Sequence, residues 1–151
     1  MKYFKIISFV ILAASLVLFS CSKKDNYESS EETQVENFRK AIAKDTAFIY
    51  DADGIILEIT EMGEVEYQAD DVVSLIYTGV ALQNNVVFAQ DETISFIYGN
   101  NNLIDGWKIA LPYIKKNSKG TLLVTFDKAY GKERMGVIDA YSTLKFTYEA
   151  F

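Results

Sequence analysis

The sequence predicts an α+β domain in which an antiparallel sheet of about five strands wraps around one short helix. Short runs rich in β-branched and aromatic residues recur from residue 48 onward, and such runs are typical of strands. Between them, only residues 106–111 place apolar side chains at helical spacing. The residues before 47 do not share this pattern, so we expect the domain to occupy residues 47–151.

Turn residues separate the predicted strands. The first two strands lie at 48–50 and 55–59, on either side of an Asp53-Gly54 pair that is typical of a hairpin turn. The other strands are predicted at 71–78, 86–88, 94–98, 121–126 and 143–148.

The predicted helix carries Trp107, Ala110 and Leu111 on one face, and Pro112 should end it. Trp107 is the only tryptophan in the chain. A buried tryptophan usually belongs to the core; the alternative is that this ring forms the floor of a binding pocket.

Residues 1–20 are expected to be an export signal. Lys2 and Lys5 precede an apolar run at 6–19 that is short for a membrane-spanning helix. The sequence LFSC at 18–21 resembles the bacterial lipobox, which implies that Cys21 is lipidated and becomes the mature N-terminus. The other interpretation is an uncleaved anchor helix with an incidental cysteine. Because Cys21 is the only cysteine, no disulfide can form within the chain.

Residues 21–46 are polar and charged, and they are expected to form a tether that continues into a short helix marked by Val35, Phe38 and Ile42. This tether would hold the domain away from the membrane. No aspartate follows Cys21 directly. By resemblance to bacterial sorting rules, this favours a lipid-anchored protein of the cell envelope, in the outer membrane and facing the periplasm.

Composition argues against several classes of function. Loss of Lys2 and Lys5 with the signal would reduce the 15 basic residues to 13, and 13 against 21 acidic residues leaves a net charge of −8. Such a charge disfavours nucleic acid as a partner. The chain has no histidine, so the usual zinc sites and catalytic triads lack their ligands and bases. We therefore expect no metal and no cofactor.

Five short motifs occur in an order that resembles the FKBP-type peptidyl-prolyl cis-trans isomerases. They are YTG at 77–79, VF at 87–88, LIDGW at 103–107, AYG at 129–131 and TLKF at 143–146. Each motif is weak alone, but their order and spacing together match the family over about residues 54–151. The resemblance implies the family's fold, with the sheet wrapped around the helix that begins at Trp107.

The resemblance also implies a site, in which one apolar pocket has Trp107 as its floor. The implied catalytic residues are Tyr77, Phe88, Ile104, Trp107 and Tyr130, and the implied substrate-binding residues are Phe96, Leu103, Ile138 and Phe146, with Ile94 on the same strand as Phe96. The backbone N–H of Ile104 and the hydroxyl of Tyr130 would donate hydrogen bonds to peptide carbonyls. Leu103, Ile138 and Phe146 could equally be core residues of almost any fold.

The implied activity is rotation about X-Pro bonds, whose barrier is about 18–20 kcal/mol. An apolar pocket would favour the twisted amide, which has lost its resonance, over the planar form. Neither an acid nor a base is needed, so a chain without histidine can perform this reaction. The expected partners are proline-containing or unfolded polypeptides of the envelope, and a monomer is expected.

One position departs from the family motif. Ala89 stands where the family has an aspartate after the phenylalanine, and Asp91 could compensate only if the strand continues that far. Asp139-Ala140 replaces the family's double proline. These departures leave a second hypothesis open, a catalytically weak binding module or chaperone. A third is a structural lipoprotein with an unrelated β-rich fold.

Overall fold

The computed structural model describes residues 23–42, 46–99 and 102–151. Its helices are α1 (Lys23–Ala41) and α2 (Asp105–Ala110), and its strands are β1 (Phe48–Ala52), β2 (Ile55–Glu61), β3 (Val72–Ala81), β4 (Val86–Ile97), β5 (Lys119–Val124) and β6 (Leu144–Ala150). Every pairing is antiparallel, in the order β1-β2-β5-β6-β3-β4. The predicted fold class is therefore confirmed, with six strands.

The core lies between one face of the sheet and α2. Strand β6 shows the alternation most clearly, because Leu144, Phe146, Tyr148 and Ala150 are all buried while the residues between them are not. Trp107, Ala110 and Leu111 of the predicted helical face are buried against this surface. A Cβ on Gly106 would overlap the side chain of Val124, so α2 approaches the sheet more closely than an alanine would allow.

Pro112 follows α2 within a 3-10 turn, Leu111–Tyr113. Proline fits the first positions of such a turn because no hydrogen bond is required of its nitrogen there. The predicted end of the helix is therefore correct to within a residue.

The two strands predicted at 86–88 and 94–98 form one strand, β4. The pairing of β4 with β3 shifts register between Tyr77 and Gly79 and again between Gly79 and Val80. These bulges accommodate the polar residues between the two apolar runs, because extra residues can leave the ladder without ending the strand. The polar run was predicted as a loop since its composition gives no strand pattern.

Within the segment predicted as a tether and short helix, residues 23–42 differ from that expectation. Helix α1 already begins at Lys23 and has 19 residues. Its residues contact the domain: the ring of Tyr27 stacks on that of Tyr141, with centroids 4.7 Å apart, and Arg39 pairs with Asp51 of β1. Long-range contacts of this kind order a segment whose local pattern is only weakly apolar.

The predicted signal peptide and Cys21 lie outside the described residues. Among the helices that are described, none has both the length and the apolar character to span a bilayer.

Candidate functional site

A cavity of about 210 Å³ opens beside α2, on the core face of the sheet. It is lined by Leu75, Tyr77, Phe88, Ile94, Phe96, Asn102, Leu103, Ile104, Trp107, Tyr130 and Phe146. Nearly all of these side chains are apolar or aromatic. They come from β3, β4, β6 and α2, from the loop before α2 and from the loop after β5.

Strands β3 and β4 form one wall. Leu75 pairs with Ile94 across the two strands, and Val73 pairs with Phe96. Directly opposed residues of antiparallel strands project to the same face, so the alternate residues Leu75 and Tyr77 of β3 face the cavity together with Ile94 and Phe96 of β4. The residues between them project to the other face, where Ser74 and Ser95 stand beside the exposed Val72, Ile76 and Ile97.

The floor is Trp107, the third residue of α2. Its ring centroid lies 5.3 Å from that of Phe146 and 5.6 Å from that of Tyr148. Only 6% of Trp107 is exposed, since α2 lies close to the sheet at Gly106. Trp107 is therefore both a core residue and the base of the cavity, so the two interpretations of this tryptophan are compatible.

Phe88 closes the side of the cavity near the β3–β4 bulges. Its ring meets that of Phe146 edge to face, at 5.7 Å and an interplanar angle of 83°. The ring lies over Gly79, where a Cβ would overlap it. A glycine is thus required in β3 for Phe88 to reach the cavity.

Tyr130 contributes from the loop after β5, and about a third of it is exposed. The neighbouring Gly131 has a positive φ of 64°, and its N–H donates to the carbonyl of Phe126 at 2.8 Å. The carbonyl of Gly131 accepts from Tyr141 at 2.8 Å. These bonds fix the backbone next to Tyr130.

Ile104 precedes α2 in an extended conformation, with φ −59° and ψ 151°. Its carbonyl accepts from the N–H of Trp107 at 3.1 Å and so opens the helix. Ile104 also lines the cavity.

The electrostatic character of the cavity is set by burial and by one acidic residue. Burial raises the pKa of the Tyr77 hydroxyl, and the charges of Glu92 and ionised Tyr130 raise it further. The hydroxyl of Tyr77 is therefore a neutral donor at physiological pH. In the part of the chain that the structure describes, no three His, Cys, Asp or Glu residues are grouped to hold a metal ion.

Ala89 is paired with Gly79 and is only 7% exposed. Asp91 does not supply a carboxylate in its place. Although the strand continues through Asp91, its φ is 50° and its carboxylate accepts from Thr78 Oγ1 at 3.3 Å. Thr78 follows Tyr77 in β3 and so projects to the other face.

The structure brings together every predicted pocket residue except Ile138. Ile138 is 5% exposed and belongs to the core cluster, but it does not line the cavity. Leu75 and Asn102 line the cavity without having been predicted. Leu75 could have been predicted, because it precedes Tyr77 by two residues in a predicted strand and therefore shares its face. No sequence feature marks Asn102 as a cavity residue, since it lies in an asparagine turn.

The model of the FKBP-type peptidyl-prolyl cis-trans isomerase family matches residues 63–150, which contain this cavity. The chain belongs to this family. The third hypothesis, an unrelated β-rich fold, is therefore excluded for the FKBP-type domain.

The FKBP-type domain is similar to two bacterial proteins. The FKBP-type peptidyl-prolyl cis-trans isomerase FkpA of Escherichia coli K12 is 27% identical over 132 residues, covering 85% of this chain and 48% of FkpA. The chain thus spans about half the length of the curated relatives that it matches. The crystal structure of E. coli FkpA superposes with a TM-score of 0.65 at 26% identity, over 85% of this chain and 62% of that one. A peptidyl-prolyl cis-trans isomerase from Pseudomonas syringae pv. tomato gives 0.67 at 25% identity, over 86% and 95%.

Proposed function

We propose that the protein is a peptidyl-prolyl cis-trans isomerase that acts on X-Pro bonds of exported proteins in the bacterial cell envelope. The observation that carries this proposal is the aromatic cavity with Trp107 as its floor, within a domain of the FKBP-type family. The organisms of the similar proteins, Escherichia coli and Pseudomonas syringae, are bacteria.

The proposed mechanism is preferential binding of the twisted amide. In the planar amide, resonance polarises the carbonyl and gives the C–N bond its double-bond character. Rotation removes this resonance, so the transition state is less polar around the bond and loses less solvation in an apolar cavity. Walls of Phe88, Phe96 and Phe146 provide such a cavity, and binding the transition state better than the ground state lowers the barrier.

Two donors would hold the peptide during rotation. Ile104 and Tyr130 both line the cavity, one from the loop before α2 and one from the loop after β5, and the donors would be the N–H of Ile104 and the hydroxyl of Tyr130. Hydrogen bonds to the carbonyls that flank the proline would keep the chain in place while the prolyl ring stays on Trp107. Holding the chain on both sides of the proline fixes the rotating bond inside the apolar cavity.

The proposal is tested with a proline tetrapeptide whose cis-to-trans conversion is followed with the full chain in phosphatidylcholine vesicles. Wild-type protein should accelerate the conversion, and Trp107→Ala should abolish the acceleration, whereas Trp107→Phe should retain part of it. Tyr130→Phe should lower kcat/KM by about twofold to tenfold, the value of one hydrogen bond. Tyr27→Phe is a matched control, because Tyr27 stacks on Tyr141 outside the cavity. A folded wild type with no activity at micromolar concentration would refute the proposal.

A second candidate function is a catalytically weak binding module or chaperone. It is favoured by the buried alanine at 89 and by the engagement of Asp91 with Thr78, which leave the Phe88 motif without its family carboxylate. Under this alternative, the protein suppresses aggregation of an unfolded client without isomerising it. Ala89→Asp, with folding checked by circular dichroism, should then raise turnover; an unchanged rate would remove the argument.

We also propose that Cys21 carries the lipid anchor, as its lipobox-like context predicts. Two or more acyl chains are needed for stable anchoring, and a triacylated cysteine supplies them. Cells labelled with a fatty acid precursor should show label on the wild type and none on Cys21→Ala. Label on both proteins would refute the anchor independently of the isomerase assay.

A further inference from the structure

Glu92 lies at the end of a row of β4 side chains that face the cavity. Ile94 and Phe96 line the cavity, and residues two apart along a strand project to the same face. Glu92 therefore continues this row on the same face, as an exposed residue next to those that line the cavity. It is paired with Tyr77 across β3 and β4, which places the carboxylate beside a cavity-lining ring.

The bulge in β4 decides that Glu92, and not Asp91, stands beside Tyr77 of β3. Between the Tyr77–Glu92 pair and the Gly79–Ala89 pair, Thr78 of β3 faces two residues of β4. Asp91 takes up the extra residue with a positive φ, and its N–H and carboxylate both bond Thr78 Oγ1, at 3.2 and 3.3 Å. If the Gly79–Ala89 register continued without this bulge, Asp91 and not Glu92 would pair with Tyr77.

The carboxylate of Glu92 has no ion-pair partner in the part of the chain that the structure describes. Among the described residues, none of the ion pairs includes Glu92, whereas Asp105 near the cavity is paired with Lys108 at 2.9 Å and Asp139 with Arg134 at 3.7 Å. Glu92 is exposed, so the carboxylate is available to a ligand. Its charge acts on the site itself, since it contributes to the raised pKa of Tyr77.

A basic side chain of a bound peptide fits this arrangement. The aliphatic part of a lysine or arginine can lie along Ile94 and the ring of Tyr77, while its charge reaches the Glu92 carboxylate. An acidic side chain at the same place would be repelled, both by Glu92 and by the net charge of −6.

We propose that Glu92 makes this site select X-Pro segments with a lysine or arginine directly beside the proline. This inference rests on the proposed function, because it assigns a specificity to the same cavity. Glu92 is a specificity determinant here and takes no part in the rotation.

The test compares two sets of proline tetrapeptides, in which the residue before or after the proline is Lys, norleucine or Glu. Isomerisation is measured with the full chain in uncharged phosphatidylcholine vesicles. In at least one set, kcat/KM for the Lys peptide should exceed that for norleucine by about twofold to fivefold, the range of a solvent-accessible ion pair. The preference should shrink at high salt.

Variants assign the preference to one carboxylate. The ratio of kcat/KM between the Lys and norleucine peptides should fall to about one in Glu92→Gln. In Glu92→Lys, kcat/KM should instead be higher for the Glu peptide than for the Lys peptide. Asp91→Asn is the matched control and should keep the wild-type ratio, because Asp91 faces Thr78. A wild-type ratio of one in both sets, or a preference that survives Glu92→Gln, overturns the proposal.

A protein that isomerises no peptide would refute the proposed function, and the charge selection is then tested by binding alone. If no peptide is isomerised, affinities of the same peptides are measured by isothermal titration calorimetry. A Lys preference in affinity that is lost in Glu92→Gln would then support the charge selection without catalysis, and equal affinities would overturn it.

Discussion

At the scale of single residues, Tyr148 lies directly behind the floor of the cavity. It is 3% exposed, its ring meets that of Trp107 edge to face, and burial raises the pKa of its hydroxyl. The hydroxyl oxygen has no hydrogen-bond partner among the residues that the structure describes. A buried polar group without a partner costs stability, because its hydration is lost without replacement.

We therefore expect Tyr148→Phe to raise the free energy of unfolding by about 1 kcal/mol, measured by urea denaturation. The ring and its contact with Trp107 remain, so isomerase activity should change little. Tyr67→Phe is the matched control. Tyr67 is also buried, but its hydroxyl donates to the carbonyl of Phe151 at 2.6 Å, so its loss should lower stability by a similar amount. A lower free energy of unfolding for Tyr148→Phe as well as for Tyr67→Phe would contradict this expectation.

At the scale of elements, α1 braces the loop that carries Tyr130. Glu31 Oε1 accepts from the backbone N–H of Phe126 at 2.8 Å and from Thr143 Oγ1 at 3.0 Å. Phe126 and Thr143 stand at the two ends of this loop. One carboxylate therefore holds both ends together, and α1 acts on the cavity from outside it.

Removing this brace should loosen the loop. We expect Glu31→Ala to lower the free energy of unfolding by about 1–3 kcal/mol, the range for hydrogen bonds to a charged group, and to raise KM in the tetrapeptide assay because Tyr130 is less fixed. Glu32→Ala, which changes an exposed neighbour on the same helix, controls for the loss of an acidic residue. Equal effects of the two substitutions would show that Glu31 does not act through the loop.

The other end of α1 is tied to the edge strand β1. The guanidinium of Arg39 binds both carboxylate oxygens of Asp51, at 2.6 and 2.8 Å. This hydrogen bonding lowers the pKa of Asp51, against the opposing effect of burial. A lowered pKa in the folded state means that the pair stabilises above the ordinary aspartate pKa of about 3.9 and that this contribution is lost as pH falls through the folded value.

Asp51→Asn should therefore lower the free energy of unfolding by about 0.5 kcal/mol at pH 7, as for other exposed ion pairs. The decrease should become progressively smaller below pH 4. Urea denaturation of the wild type and the variant at a series of pH values gives the difference. Lys115 and Glu66 form a surface pair that does not involve Arg39, and Glu66→Gln provides a comparison. A difference between wild type and Asp51→Asn that does not narrow toward acid would contradict this account.

At the scale of the whole molecule, periodicity and motif order were enough to predict the sheet, α2 and most of the cavity. The alternation of Tyr77 with its neighbours, and the helical spacing of Trp107, Ala110 and Leu111, are local signals that tertiary contacts reinforce. The motifs added the loop residues Ile104 and Tyr130, which no periodicity marks.

Three features could not be predicted, because each depends on contacts distant in sequence. Helix α1 is held by Glu31 and Arg39 to residues far along the chain. Glu92 stands beside Tyr77 because a bulge shifts the register of β4 on β3, and bulges leave no composition signal in a polar run. Ile138 is apolar, and composition alone cannot distinguish a core position from a pocket position.

The position of α1 changes how the domain would sit at a membrane. In sequence, only Ser22 lies between Cys21 and the start of α1 at Lys23. If Cys21 carries lipid, as we propose, the anchor is joined to a helix that packs on the domain through Tyr27 and Glu31. The domain would then be held close to the bilayer surface in a restricted orientation, not at the end of a flexible tether.

The floor of the cavity has one further consequence. Trp107 is the only tryptophan among 151 residues, and nearly all of its surface is buried beneath the place where a prolyl ring would rest. When the protein is excited at a wavelength that its ten tyrosines do not absorb, its emission therefore comes from one indole at the proposed binding site. Occupancy can be read from this emission without a label, for peptides that are turned over and for those that are only bound.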